Sequence, residues 1–132
     1  MPLFELSSGA VLRLTNDCYH VATVAGFPLS FPVTYKADAT TPLDLSGFSA
    51  IKLELFAGYL DSFAGTPVKV WDQTANSWGQ IAVTPLSGLA VFTMTAAGSA
   101  DLPKGDYSFR WVTYTGGALS NRTFFGRWRH RA

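Results

Sequence analysis

Residues 89–95 read Leu-Ala-Val-Phe-Thr-Met-Thr, residues 96–107 read Ala-Ala-Gly-Ser-Ala-Asp-Leu-Pro-Lys-Gly-Asp-Tyr, and residues 108–117 read Ser-Phe-Arg-Trp-Val-Thr-Tyr-Thr-Gly-Gly. The flanking runs alternate. Successive side chains of a strand point to opposite faces, so a period of two marks a strand with distinct faces. Tyr107, Phe109, Trp111 and Thr113 share one face, and Ser108, Arg110, Val112 and Tyr114 the other. The middle run is a short connection ending in Leu102-Pro103-Lys104-Gly105. Gly116-Gly117 reads as a turn with another strand beyond it. This is the grammar of an antiparallel sandwich, and it carries no obvious catalytic group.

The same grammar extends toward the N-terminus. Phe27, Leu29, Phe31, Val33 and Tyr35 alternate with Pro28, Ser30, Pro32, Thr34 and Lys36. Proline cannot donate to a ladder, so this strand is expected at a sheet edge. Ile51, Leu53 and Leu55 alternate with Lys52 and Glu54, and Val68 and Val70 with Lys69 and Trp71. Shorter strands are expected over 2–6, 11–15, 19–24 and 78–84, with a last one over 121–130. No long run has the helical period of 3.6. The chain therefore reads as all-β, a single antiparallel β-sandwich of either immunoglobulin-like or jelly-roll order.

A chain of 132 residues favours one domain, here 1–132, with residues 1–8 as an N-terminal arm and 127–132 as a basic C-terminal strand or tail. Only 14% of residues are charged, against about 25% in ordinary domains. That implies a large core or a surface covered by partners. Cys18 is the single cysteine, which excludes an internal disulfide framework. No basic-then-apolar leader opens the sequence, and no run of 18 apolar residues occurs, so neither secretion nor a membrane span is expected. Residues 1–109 carry five basic and nine acidic side chains, a net −4, while 110–132 carry five arginines and no acid, a net +5. Such polarisation suits attraction between subunits.

Two groups stand out as a partner interface. Phe56, Tyr59, Leu60 and Phe63 lie at i, i+3, i+4 and i+7 and read either as an apolar docking loop or as a cap over one end of the sandwich. In the terminal strand, Arg127, Arg129 and Arg131 share one face, and Trp128 and His130 the other. The arginines read either as a contact for an acidic neighbouring subunit or as the solvated face of a terminal strand. Nucleic acid, with Trp128 as a stacking platform, ranks far behind, because a net charge of +1 is not a basic footprint. Cys18 and His20 share a face but lack the further ligands a zinc site needs. Asp17, Asp44, Asp72, Asp101 and Asp106 all fall in apparent turns, where short side chains bond the local backbone. No catalytic residue, metal ligand or cofactor site is assigned. A sugar-binding module is a separate alternative, with Trp71, Trp78 and Tyr114 stacking on sugar rings from a sheet face.

The order of motifs from Pro28 to Gly126 resembles the immunoglobulin-like N-terminal domains of tailed-phage baseplate upper proteins and tail-fibre-associated proteins. The residues that carry it are the strand 29–35, the turn Pro42-Leu43-Asp44-Leu45-Ser46-Gly47, the strand 51–55, the strand 88–95 with its short link, Leu102-Pro103-Lys104-Gly105-Asp106-Tyr107, and a closing strand bearing Gly126. Gly47 and Gly105 would permit tight or left-handed backbone. The resemblance implies a non-enzymatic virion component, made in the host cytoplasm and acting in the tail, baseplate or fibre through contacts with other virion proteins or copies of itself. A capsid decoration protein that clamps shell subunits is the runner-up. Removing residues 126–132 is then expected to impair incorporation into particles more than stability.

Overall fold

The computed structural model describes residues 4–6, 12–15, 18–38, 40–58, 65–119 and 124–132, with the backbone alone for 4–6, 12–15, 18, 19 and 124. Among the described residues there are eleven strands and one short helix. They are β1 (Phe4–Leu6), β2 (Leu12–Thr15), β3 (Cys18–Val24), β4 (Leu29–Tyr35), β5 (Ala50–Ala57), β6 (Lys69–Trp71), β7 (Gly79–Thr84), β8 (Leu89–Met94), α1 (Ala96–Asp101), β9 (Gly105–Thr115), β10 (Ala118–Leu119) and β11 (Phe124–Arg131). Single 3₁₀ turns occupy Leu45–Gly47 and Pro85–Ser87.

Two sheets form an all-β sandwich. The smaller has the order β1-β4-β8-β7, and the larger β2-β3-β11-β9-β5-β6, with β10 paired to β9. Setting β2, β3 and β10 aside, the chain order of these strands reproduces the two immunoglobulin sheets: β1, β4, β8 and β7 take the places A, B, E and D, while β11, β9 and β5 take G, F and C, with β6 beside β5 in the place of C′. A second mark of that architecture sits at the start of β9. Tyr107 is buried there and its hydroxyl donates back to the Pro103 carbonyl, the tyrosine-corner arrangement. In that arrangement a cysteine lies two residues on; here Phe109 takes its place, and the sandwich is held by packing in place of a disulfide.

The alternation read from the sequence fixes the core. Phe31, Val33 and Tyr35 of β4, Ile81 of β7, and Ala90, Phe92 and Met94 of β8 meet Leu53, Leu55, Phe109, Trp111 and Trp128 of the larger sheet. Trp71 of β6 lies parallel to Trp128 with ring centroids 6.0 Å apart, and the Phe92 ring stands nearly perpendicular to both. Three polar groups inside are satisfied as a chain: the Trp111 indole donates to the Tyr35 oxygen at 2.5 Å, and that oxygen lies 2.8 Å from Thr113 Oγ1. Gly88 needs its left-handed backbone (φ 65°), because a side chain there would come within 2.5 Å of the Tyr35 carbonyl oxygen. Gly116 and Gly117, both at positive φ, form the hairpin turn between β9 and β10.

Several expectations change. β4 is not an edge strand, since β1 pairs with its last three residues. The prolines are tolerated because Tyr35 N points at Gly88 on the β8 side, so by alternation position 32 points the other way, beyond the reach of β1. The larger sheet is mixed, not purely antiparallel, because β11 runs parallel to β3 over Gly126–Arg131. On β6 it is Lys69 and Trp71 that face inward, with Val68 outside. Gly47 and Gly105 adopt no positive φ. The connection 96–101 is a helix, capped by Thr95 Oγ1, which accepts from Gly98 N at 3.0 Å.

Candidate functional site

The candidate surface is built on β11, which lies between β3 and β9. Its alternation is complete from residue 125 onward: Gly126, Trp128 and His130 are buried, and Phe125, Arg127, Arg129 and Arg131 are exposed. What sets this phase is a buried polar chain on the inner side. The Trp128 indole donates to Thr23 Oγ1 at 2.8 Å, and Thr23 Oγ1 lies 2.6 Å from His130 Nδ1. On the far side of the ring, His130 Nε2 lies 2.8 Å from the Ser99 carbonyl, which can only accept, so Nε2 donates and Nδ1 takes the Thr23 proton. Ser99 Oγ in turn donates to the Val24 carbonyl at 3.0 Å. The network ties β3, β11 and α1 together, and a slip of one residue in β11 would break the three links made by Trp128 and His130.

On the outer side two of the arginines share one acid. Asp106 of β9 takes Arg131 at 2.8 Å and Arg129 at 3.9 Å, so one carboxylate faces two guanidinium groups whose side chains are 50% and 62% exposed. Across β9, Arg110 donates to Glu54 at 2.5 Å, and its guanidinium lies 5.8 Å from the centre of the Phe56 ring. This second pair is largely sheltered, so the net positive charge of the face is concentrated on β11.

The two candidate groups therefore separate. Arg127, Arg129 and Arg131 are displayed together, as their spacing requires. Phe56 and Trp128 are buried and belong to the packing rather than to a surface. Tyr59, Leu60 and Phe63 lie outside the described residues. The sugar-platform reading loses one of its three residues, because Trp71 is in the core. The Trp78 ring is covered by the Lys69 ammonium, 2.9 Å from its centre, and Lys69 also reaches Asp101 at 3.3 Å. Tyr114 is half-buried, with the Lys52 ammonium 5.7 Å from its ring.

Among the turn aspartates, Asp44 and Asp72 accept from the backbone two residues on, as read. Asp38 does the same with Thr40 and Thr41. Hydrogen bonds from the Thr40 backbone hold the Asp38 carboxyl below its usual range, and the Ser46 hydroxyl does so for Asp44. Asp101 and Asp106 are instead partners of Lys69 and Arg131, and Asp17 lies outside the described residues. Among the described residues, no three His, Cys, Asp or Glu side chains gather as metal ligands would. No helix among the described residues is long and apolar enough to cross a membrane.

One further feature escaped the sequence reading. The turn between β3 and β4 leaves an open depression of about 300 Å³ lined by Ala22, Thr23, Val24, Phe27, Pro28 and Leu29. Phe27 is 65% exposed at its rim. Val24 pairs with Arg131, so the basic end of β11 borders this apolar hollow. No protein-family model and no curated protein matches the chain.

Proposed function

We propose that this chain is a non-enzymatic structural component of a tailed-phage virion, acting in the tail, baseplate or fibre region by protein–protein contact. The single observation that carries this reading is the immunoglobulin order of the strands, which is the architecture that the resemblance of residues 28–126 implies. The displayed arginines supply the chemistry of attachment. They stand on a strand locked into the core, so the row is presented without ordering a flexible tail, which lowers the entropic cost of binding. An acidic face on a neighbouring virion protein is the complementary surface.

The test is location. Intact particles, separated heads and separated tails would be labelled with an antibody to this protein. Label at the tail tip supports the reading. Label over the head makes the chain a capsid decoration protein, and label on neither removes the virion role.

A further inference from the structure

The two ends of the sandwich carry complementary chemistry. At one end, β4 finishes at Tyr35, and the 3₁₀ turns at Leu45–Gly47 and Pro85–Ser87 pack on each other. There Leu86 is 78% exposed, beside a loop that bears the fully exposed carboxylates Asp38 and Asp44. At the opposite end, roughly 20 Å away along the seven residues of β4, lies the hollow rimmed by Phe27 and Val24, with Arg131 in register beside Val24 and Arg129 beside Ala22. A projecting leucine flanked by acids sits at one pole; at the other, an apolar hollow is flanked by Arg129 and Arg131, two guanidinium groups that share the Asp106 carboxylate. Neither pole matches itself: in a two-fold contact carboxylates would face carboxylates, or a surplus of guanidinium charge would face its like.

We propose that the partner of the hollow is a second copy of this chain, bound head to tail, with Leu86 of one copy seated against Phe27 and Val24 of the next and Asp38 and Asp44 facing Arg129 and Arg131. Such a contact is heterologous, so each copy keeps one unused pole and the association propagates into a ring or a linear stack. The apolar part supplies affinity, and the charges supply direction and salt sensitivity. The inference does not rest on the virion role.

Sedimentation velocity on the purified chain tests it, from about 10 μM to 1 mM, a range that covers weak specific contacts. The expected result is a weight-average mass that rises with concentration and falls with added salt. Leu86→Ser and Phe27→Ser each weaken association about tenfold or more. Both positions are exposed, so the variants fold, and melting curves check this; Val24→Ser provides a second change at the hollow. The decisive sample is an equimolar mixture. The Leu86→Ser chain keeps a sound hollow and the Phe27→Ser chain a sound leucine pole, so together they form one-to-one dimers that grow no further. A chain that stays monomeric throughout overturns the proposal. So does association that both variants leave intact, or a mixture that does not restore dimers. None of these results bears on where the protein sits in a particle.

Discussion

Replacing Thr23 by valine isolates the buried polar chain, because the branched shape is kept and only the hydroxyl is lost. Besides a longer contact to the Arg129 carbonyl at 3.3 Å, that hydroxyl serves two groups with no access to water. It accepts from the Trp128 indole at 2.8 Å and lies 2.6 Å from His130 Nδ1. Removing it leaves an indole N–H and an imidazole nitrogen unpaired in the interior. Each buried group left in that state costs about 1–3 kcal/mol, so Thr23→Val should destabilise the fold by about 3 kcal/mol. That is a large share of the roughly 5–15 kcal/mol that holds such a domain together, and it should lower Tm by about 10 °C. Urea denaturation reads the effect as a shift in midpoint at unchanged slope. The matched surface control is Ser30→Ala, whose hydroxyl lies 3.4 Å from Thr93 Oγ1 and is exposed; it should cost under about 0.5 kcal/mol. Repeating Thr23→Val in a Trp128→Phe background should roughly halve its cost, since one of the two orphaned groups is then already gone. A cost for Thr23→Val no larger than the control, or one identical in both backgrounds, would refute the network as a source of stability.

Gly88→Ala should cost about 2 kcal/mol or more, measured by thermal melting, because it combines a left-handed backbone with a 2.5 Å clash against the Tyr35 carbonyl. Deleting residues 126–132 should abolish cooperative unfolding altogether, since it takes Trp128 from the core and strips β3 and β9 of their shared neighbour; a truncated chain that still melts sharply would contradict this. With Trp128 buried in the core, this deletion should cost stability as well as incorporation, so the two effects are not separable by this truncation. Asp38 and Asp44 titrate below their ordinary value of 3.8 in the folded chain, so each contributes stability that is present above that pH and lost as pH falls through its lower folded value. The paired substitution Asp38→Asn, Asp44→Asn should accordingly flatten the fall in stability below about pH 4, and an unchanged acid limb would count against the hydrogen bonds assigned to these carboxylates.

Much of the fold was legible because its strands are amphipathic. Tyr107 to Thr113 and Leu29 to Tyr35 announce their buried faces by simple alternation. What the pattern misassigned has local causes. The inward turn of Lys69 follows from partners that the sequence does not place beside it, the Trp78 ring and Asp101. The hydrophobic valines on either side of it suggested the opposite phase. The parallel pairing of β3 with β11 joins residues more than a hundred positions apart, and nothing local encodes it. The same holds for Thr23 and His130, which look like ordinary strand residues until the sheet assembles. The arginine face was readable from spacing alone. The sandwich-end hollow was not, because it is made by a turn whose depth depends on where two strands of different sheets begin.

The parallel pairing of β3 and β11 also decides how the molecule carries tension. Once β1 and β2 have been peeled away, a pull on the two termini reaches β3 at Cys18 and β11 at Arg131, which lie at opposite ends of the paired segment. The two strands are then drawn past each other along their lengths, and the hydrogen bonds between Gly126–Arg131 and Tyr19–Val24 bear the load together rather than opening one by one. The Thr23 hydroxyl, bridging to Trp128 and His130 within this segment, adds cross-links that resist the same sliding motion. The sandwich is in this sense a mechanical clamp, closed by β3 and β11.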